Sequence, residues 1–132
     1  MIKNDYGLGT TLDLPFADAI AAITNALKTE GFGILTEINI QETLKKKLDV
    51  NFRRYVILGA CNPPLAYQAL QTELDIGLLL PCNVIVYEMD GGKTAVSIAD
   101  PQVMVAITGT PALQGMADEA RAKLTRALEA LS

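Results

Sequence analysis

The stretch "PCNVIVYEMDGGKTAVSIADP", Pro81 to Pro101, joins two β-rich runs through Asp90, Gly91 and Gly92. Paired glycines after an aspartate supply the positive φ angles that tight turns demand, so the runs read as an antiparallel hairpin. Pro101 cannot donate to a strand ladder and closes the second run. Such a hairpin excludes a purely parallel, doubly wound sheet, because parallel neighbours need a long crossover between them.

Upstream, "RRYVILGAC" (Arg53 to Cys61) is apolar enough for a central strand. Asn62 can cap a helix and Pro63 suits its first position, which places a helix over Pro63 to Leu74. Between that helix and Cys82 lies "DIGLLLP", which reads as an extended segment whose three leucines follow a buried path. The helix carries the chain back roughly 18 Å at about 1.5 Å per residue. The extended segment recovers about 20 Å. Cys82 is then expected at the sheet end where Cys61 lies, on an antiparallel neighbour. In the opposite case the strand begins where the helix stops, the pair runs parallel, and the thiols sit at opposite ends.

"YGLGTTLDL" (Tyr6 to Leu14) spaces Leu8, Leu12 and Leu14 at even intervals and reads as a first strand. Pro15 falls in the first turn of a helix on which Phe16, Ile20, Ile23 and Leu27 share one face, and Gly31 stops it. "FGILTEINI" (Phe32 to Ile40) reads as a strand, after which Asn39 caps a short helix, "QETLKKKLD", with Leu44 and Leu48 facing inward. Beyond the hairpin, "PQVMVAITGTP" reads as irregular with a short strand. A final helix from Pro111 to Leu131 aligns Met116, Ala120, Leu124, Ala127 and Leu131. The order β-α-β-β-α-β-β-α, with one extra short helix, predicts a two-layer α+β fold: a mainly antiparallel sheet with helices packed on it. All 132 residues are expected to form a single domain.

Composition narrows the function classes. Half the residues are hydrophobic, enough for a core without disulfide staples. A net charge of −4 and a pI near 4.7 give no field that attracts phosphate backbones, so nucleic acid is a poor default partner. The absence of histidine removes Ser-His-Asp and Cys-His catalysis and every histidine-bearing metal motif. With no tryptophan, three phenylalanines and four tyrosines, a base-stacking platform is not expected. No apolar run approaches the ~20 residues of a membrane span, and "MIKNDYGLGT" lacks a signal-peptide core. The expected location is the cytoplasm, no membrane is expected as partner, and thiols there stay reduced.

The chemistry concentrates in two echoing blocks, "GACNPPLA" (Gly59 to Ala66) and "LLPCNV" (Leu79 to Val84), which hold the only cysteines. Cys61 lies just before a helix start, where partial positive charge on backbone N–H groups favours a thiolate and could depress its pKa. The plainer alternative is a small buried hydrophobe beside a capping asparagine. The candidate site comprises Cys61, Asn62, Cys82 and Asn83, with Glu37 as a nearby acid. Asn62 and Asn83 would orient the thiols by hydrogen bonds. A converging pair would permit a reversible disulfide or a two-thiolate site for a soft metal such as copper(I) or zinc. Two ligands are too few for a closed zinc site, so Glu37, Asp100, water or a second chain would have to join Cys61 and Cys82. Their spacing of 21 residues matches no known zinc pattern. Glu37 either faces solvent on a half-exposed sheet or is a partly buried base or ligand. Lys45, Lys46, Lys47, Arg53 and Arg54 read as a solvated helix face or as an anion patch. "GGKT" (Gly91 to Thr94) joins two strands and lacks the earlier glycine of a phosphate loop, so it is a turn.

The blocks Gly31-Phe32, Glu37, Gly59-Ala60-Cys61-Asn62-Pro63, Leu80-Pro81-Cys82-Asn83 and Asp100-Pro101 together resemble the domain of unknown function 302 family. The resemblance covers about Tyr6 to Val105. It implies a two-layer α+β domain with an antiparallel sheet, commonly a homodimer, and places both cysteines within the family's pattern. It implies no particular activity. Two functional readings stand. One is a thiol-based redox or soft-metal-binding protein that uses Cys61 and Cys82. The other is a non-catalytic homodimeric module for a small ligand or a partner protein, its cysteines structural. Neither assigns a catalytic residue or a cofactor, and whether the protein is an enzyme stays open.

Overall fold

The computed structural model describes residues 2–131. In chain order the strands are β1 (Ile2–Lys3), β2 (Gly7–Leu12), β3 (Gly33–Asn39), β4 (Tyr55–Cys61), β5 (Cys82–Glu88) and β6 (Thr94–Ala99). The helices are α1 (Phe16–Thr29), α2 (Ile40–Leu48), α3 (Pro63–Thr72), α4 (Gln102–Thr108) and α5 (Gln114–Glu129). The strands form one sheet in the order β1-β2-β6-β5-β4-β3, and every neighbouring pair is antiparallel. The hairpin β5–β6 turns at Asp90–Gly92, where Gly91 and Gly92 take φ of 83° and 82°. The α+β class, read from the glycine pair and the helical spacings, is the one observed.

Strand alternation divides the sheet into a wet face and a dry one. Val56, Leu58 and Ala60 of β4, Val84 and Val86 of β5, and Val96 and Ile98 of β6 are buried in the main core with Leu8 and Leu12. Helices α1 and α5 supply the opposing layer through Ala19, Ile23, Leu27, Ala120, Leu124 and Leu128. The connection β2-α1-β3 spans the sheet from one flank to the other, so α1 touches β3, β5 and β6 on its way. Its end follows from two residues. The Gly31 N–H donates to the Lys28 carbonyl and the Phe32 N–H to the Leu27 carbonyl, with Gly31 at φ 84°. This left-handed stop is cheap only for glycine, and it delivers Phe32 into the core.

Four local expectations differ from what forms. Leu74–Leu79 is a 3-10 helix, not an extended segment, and of its residues only Ile76 is buried while Leu74 and Leu78 are over 80% exposed. The return still works: α3 runs about 15 Å at 1.5 Å per residue, and six 3-10 residues cover about 12 Å at 2.0 Å each. Gln102–Thr108 is a helix, not an irregular stretch with a short strand. The Asp100 carboxylate accepts from the Gln102 N–H at 3.0 Å, and Gly109, in the left-handed conformation, ends the helix. These end signals override the β-branched run between them. No residue of α2 is fully buried: Leu44 is half-buried, in keeping with an inward-facing position, but Leu48 is exposed. Its cap is as expected, with the Asn39 side chain accepting from the Glu42 N–H. Finally, α5 begins at Gln114, and Pro111–Leu113 forms a separate 3-10 turn. Among the described residues no helix is long and apolar enough to cross a membrane.

Candidate functional site

Cys61 is the last residue of β4 and Cys82 the first of β5, so antiparallel pairing brings them to one end of the sheet. Cys82 sits directly across from Ala60, which leaves Cys61 one residue beyond its partner position. Both cysteines are free thiols and both are half-buried. Together they border a narrow cavity of about 30 Å³. Ala60 and Pro81 flank them, Phe32 closes one side, and Leu65, Ala66 and Ala69 of α3 lie against it. Met104 of α4 and Met116 of α5 complete the lining from the helical layer, with Leu80, Pro101 and Ala120.

The cavity is short of polar groups. Among the described residues its one polar side chain besides the thiols is that of Asn62, and that side chain is already engaged. Asn62 Oδ1 accepts from the Leu65 N–H at 3.3 Å, capping α3, and Nδ2 donates to the Glu30 carbonyl at 3.4 Å. Asn62 therefore ties the start of α3 to the end of α1 and orients neither sulfur. Burial pushes the Cys82 thiol up from 9.0 to about 11, and negative charge on the neighbouring Cys61 pushes the same way. At neutral pH Cys82 is protonated, which suits neither a resting nucleophile nor a thiol-exchange partner.

Other sequence candidates lie elsewhere. Glu37 is exposed on the edge strand β3 and borders a groove of α2 with Glu42, Lys46 and Lys47. Asn83 is exposed on the open face of the sheet and borders a shallow basin of about 470 Å³ with Tyr6, Tyr55, Tyr87 and Ser97. Asp100 is buried but occupied: its carboxylate accepts from the Gln102 N–H and stands 3.4 Å from Arg121 Nε. That nitrogen makes no aligned hydrogen bond, so the contact is charge against charge without a directed proton. Of the proposed extra metal ligands, then, neither Glu37 nor Asp100 reaches the thiols. Among the described residues no group of three or more cysteines and carboxylates is placed to hold a metal ion.

Met104 is the lining residue that sequence reading placed worst, because the stretch around it was expected to be irregular. Its signal was present in Asp100-Pro101 and Gly109, a start and a stop with seven helical residues between them. Gly59 is another. A methyl group there would meet Thr36 Oγ1 and lie 2.8 Å from Pro81 Cγ, so Thr36 and Pro81 pack over bare backbone. This close approach seats Pro81, and hence Cys82, against β4.

The uncovered sheet face carries its own pattern. Ile38, Ile57 and Ile85 stand in one cross-strand row. Beside them Tyr55 and Tyr87 stack, with centroids 5.3 Å apart and planes 6° from parallel. Burial raises the Tyr55 hydroxyl pKa, with Tyr87 and Tyr6 adding to the effect.

The family model described as "Domain of unknown function DUF302" matches residues 8–131. A solved protein described as "uncharacterized conserved protein DUF302 from Bacillus stearothermophilus" is similar over nearly the whole fold. The TM-score is 0.89 at 28% identity, covering 98% of this chain and 100% of that one. No curated protein matches the chain.

Proposed function

The chain belongs to the DUF302 family, and we propose that it is a cytoplasmic single-domain protein that binds a soft metal ion between Cys61 and Cys82. The observation that supports this is the pairing of two free thiols on one apolar cavity of about 30 Å³. The cavity is small and almost wholly apolar apart from its sulfurs, which suits a soft ion. Among the described residues the cavity offers no free carboxylate, hydroxyl or ammonium group for acid–base work. The out-of-step register disfavours a disulfide, which demands an S–S bond of about 2.05 Å and matched Cβ directions. An ion bridging at about 2.3 Å from each sulfur tolerates a wider separation than a disulfide, and the site requires the Cys61 side chain, at the last position of β4, to turn toward the face of Cys82. The test is copper(I) titration of the reduced protein against a colorimetric chelator. One ion per chain is expected, with uptake abolished in Cys61→Ser/Cys82→Ser while the far-ultraviolet circular dichroism is unchanged. Equal uptake by the double variant, or none by the parent, removes the reading.

A second reading is favoured by the open sheet face, where Ile38, Ile57 and Ile85 align beside the stacked Tyr55 and Tyr87. Apolar side chains in such a row suit pairing with a second copy of the chain. Native mass spectrometry of the parent and of Ile85→Lys tests it. A dimer that the lysine converts to monomer supports it, and a parent that is monomeric at micromolar concentration ends it.

A further inference from the structure

The cavity holds more sulfur than the two thiols. Met104 and Met116 line it together with Cys61 and Cys82, so four of the six sulfur-bearing residues of the chain meet at one small void. They arrive from four separate elements: β4, β5, α4 and α5. Met104 is buried in a minor core with Ala69, Ile76 and Leu113, and Met116 packs against both this core and the main one. Met89, by contrast, lies elsewhere, its sulfur 3.8 Å from the Thr11 hydroxyl.

We propose that Met104 and Met116 are thioether ligands that complete a mixed thiolate–thioether site and make it selective for monovalent copper over zinc. The proposal rests on the soft-metal reading above. Thioether sulfur is a soft, neutral donor that suits copper(I). Zinc sites are built from thiolate, imidazole and carboxylate, and this cavity has no imidazole or carboxylate to add to its two sulfurs. Copper(I) bound by both cysteines displaces two thiol protons to solvent, and the resulting single negative charge is spread over the sulfur ligands. No oxidation or reduction occurs in this step, because copper enters and stays in the +1 state.

The decisive experiment uses the whole chain labelled with 13C at the methionine methyl groups and titrated under reducing conditions with silver(I), a redox-inert stand-in for copper(I). The Met104 and Met116 methyl signals are expected to shift in step with one bound ion, and the Met89 signal to stay in place. Met104→Leu and Met116→Leu preserve volume and apolar character, so the fold is retained. Each is expected to weaken copper(I) binding by about ten-fold or more. If silver binds one per chain through the cysteines and neither methyl signal moves, the thioether proposal is overturned and the soft-metal reading survives. If no ion binds at all, both fall. Zinc bound as tightly as copper(I) also overturns the claimed selectivity.

Discussion

Cys82 faces Ala60 across the β4–β5 ladder, so Cys61 stands one residue out of step with it. Successive side chains along a strand project to opposite faces. The two thiols are therefore neighbours at one sheet end without being opposed partners. Treatment of the metal-free protein with a mild oxidant such as diamide is expected to leave both thiols countable by Ellman's reagent after unfolding. Rapid, complete loss of two thiols per chain as an intramolecular bridge would contradict this geometry.

The raised pKa of Cys82 gives the metal-free protein a stability that depends on pH. The folded state holds the proton up to about 11, whereas the unfolded thiol releases it near 9.0. Stability from this group is complete below pH 9.0 and is lost as pH climbs toward 11. The full loss is of order 2–3 kcal/mol, from about 1.4 kcal/mol per pKa unit. Urea midpoints measured from pH 8 upward should fall more steeply for the parent than for Cys82→Ala. Parallel slopes in the two proteins would show that Cys82 ionises as an ordinary thiol.

Gly59 is expected to resist any side chain. In Gly59→Ala the added methyl would press on Pro81 Cγ at 2.8 Å and on the Thr36 hydroxyl. Overpacking of this kind costs about 1–3 kcal/mol. Adding Thr36→Ala should restore part of the loss, because it removes one of the two obstacles, and equilibrium denaturation of the single and double variants reads the recovery. A double variant no more stable than the single one would place the strain elsewhere.

Asn62 acts as a clasp between two helices, so its two polar atoms can be separated by substitution. Asn62→Asp keeps the acceptor for the Leu65 N–H and removes the donor to the Glu30 carbonyl; Asn62→Ala removes both. Loss of the cap costs about 0.5–2 kcal/mol. The alanine variant should lose the more stability, and its Leu65 amide should exchange faster with solvent than in the parent. Identical exchange of that amide in all three proteins would show that the cap contributes nothing.

Asp100 holds the first turn of α4, and α4 carries Met104 over the cavity. Asp100→Asn retains an acceptor for the Gln102 N–H, whereas Asp100→Ala retains none. The alanine variant should expose the amides of Gln102–Thr108 to hydrogen exchange and loosen the Met104 methyl signal, with the asparagine variant in between. Unchanged protection across the segment would mean that packing of Met104 suffices to hold the helix.

How much of this was legible without coordinates can be told residue by residue. Gly91-Gly92 announced the hairpin, Gly31 the end of α1, and Asn62-Pro63 the start of α3, because each need is local: a positive φ, a missing N–H, a capping oxygen. Those signals, with the spacing of Ile23 and Leu27, were enough for the α+β class and an antiparallel sheet. Local chemistry could not foresee that Leu74 and Leu78 would face solvent on a 3-10 helix, or that α2 would bury no residue fully. Burial is a property of what packs on a segment, and that is decided by elements distant in sequence. For the same reason only the folded chain decides that Cys61, Cys82, Met104 and Met116 surround one void while Asn83 and Glu37 turn elsewhere. Strand register and helix packing set those positions, and neither is written in the spacing of the four sulfurs along the chain.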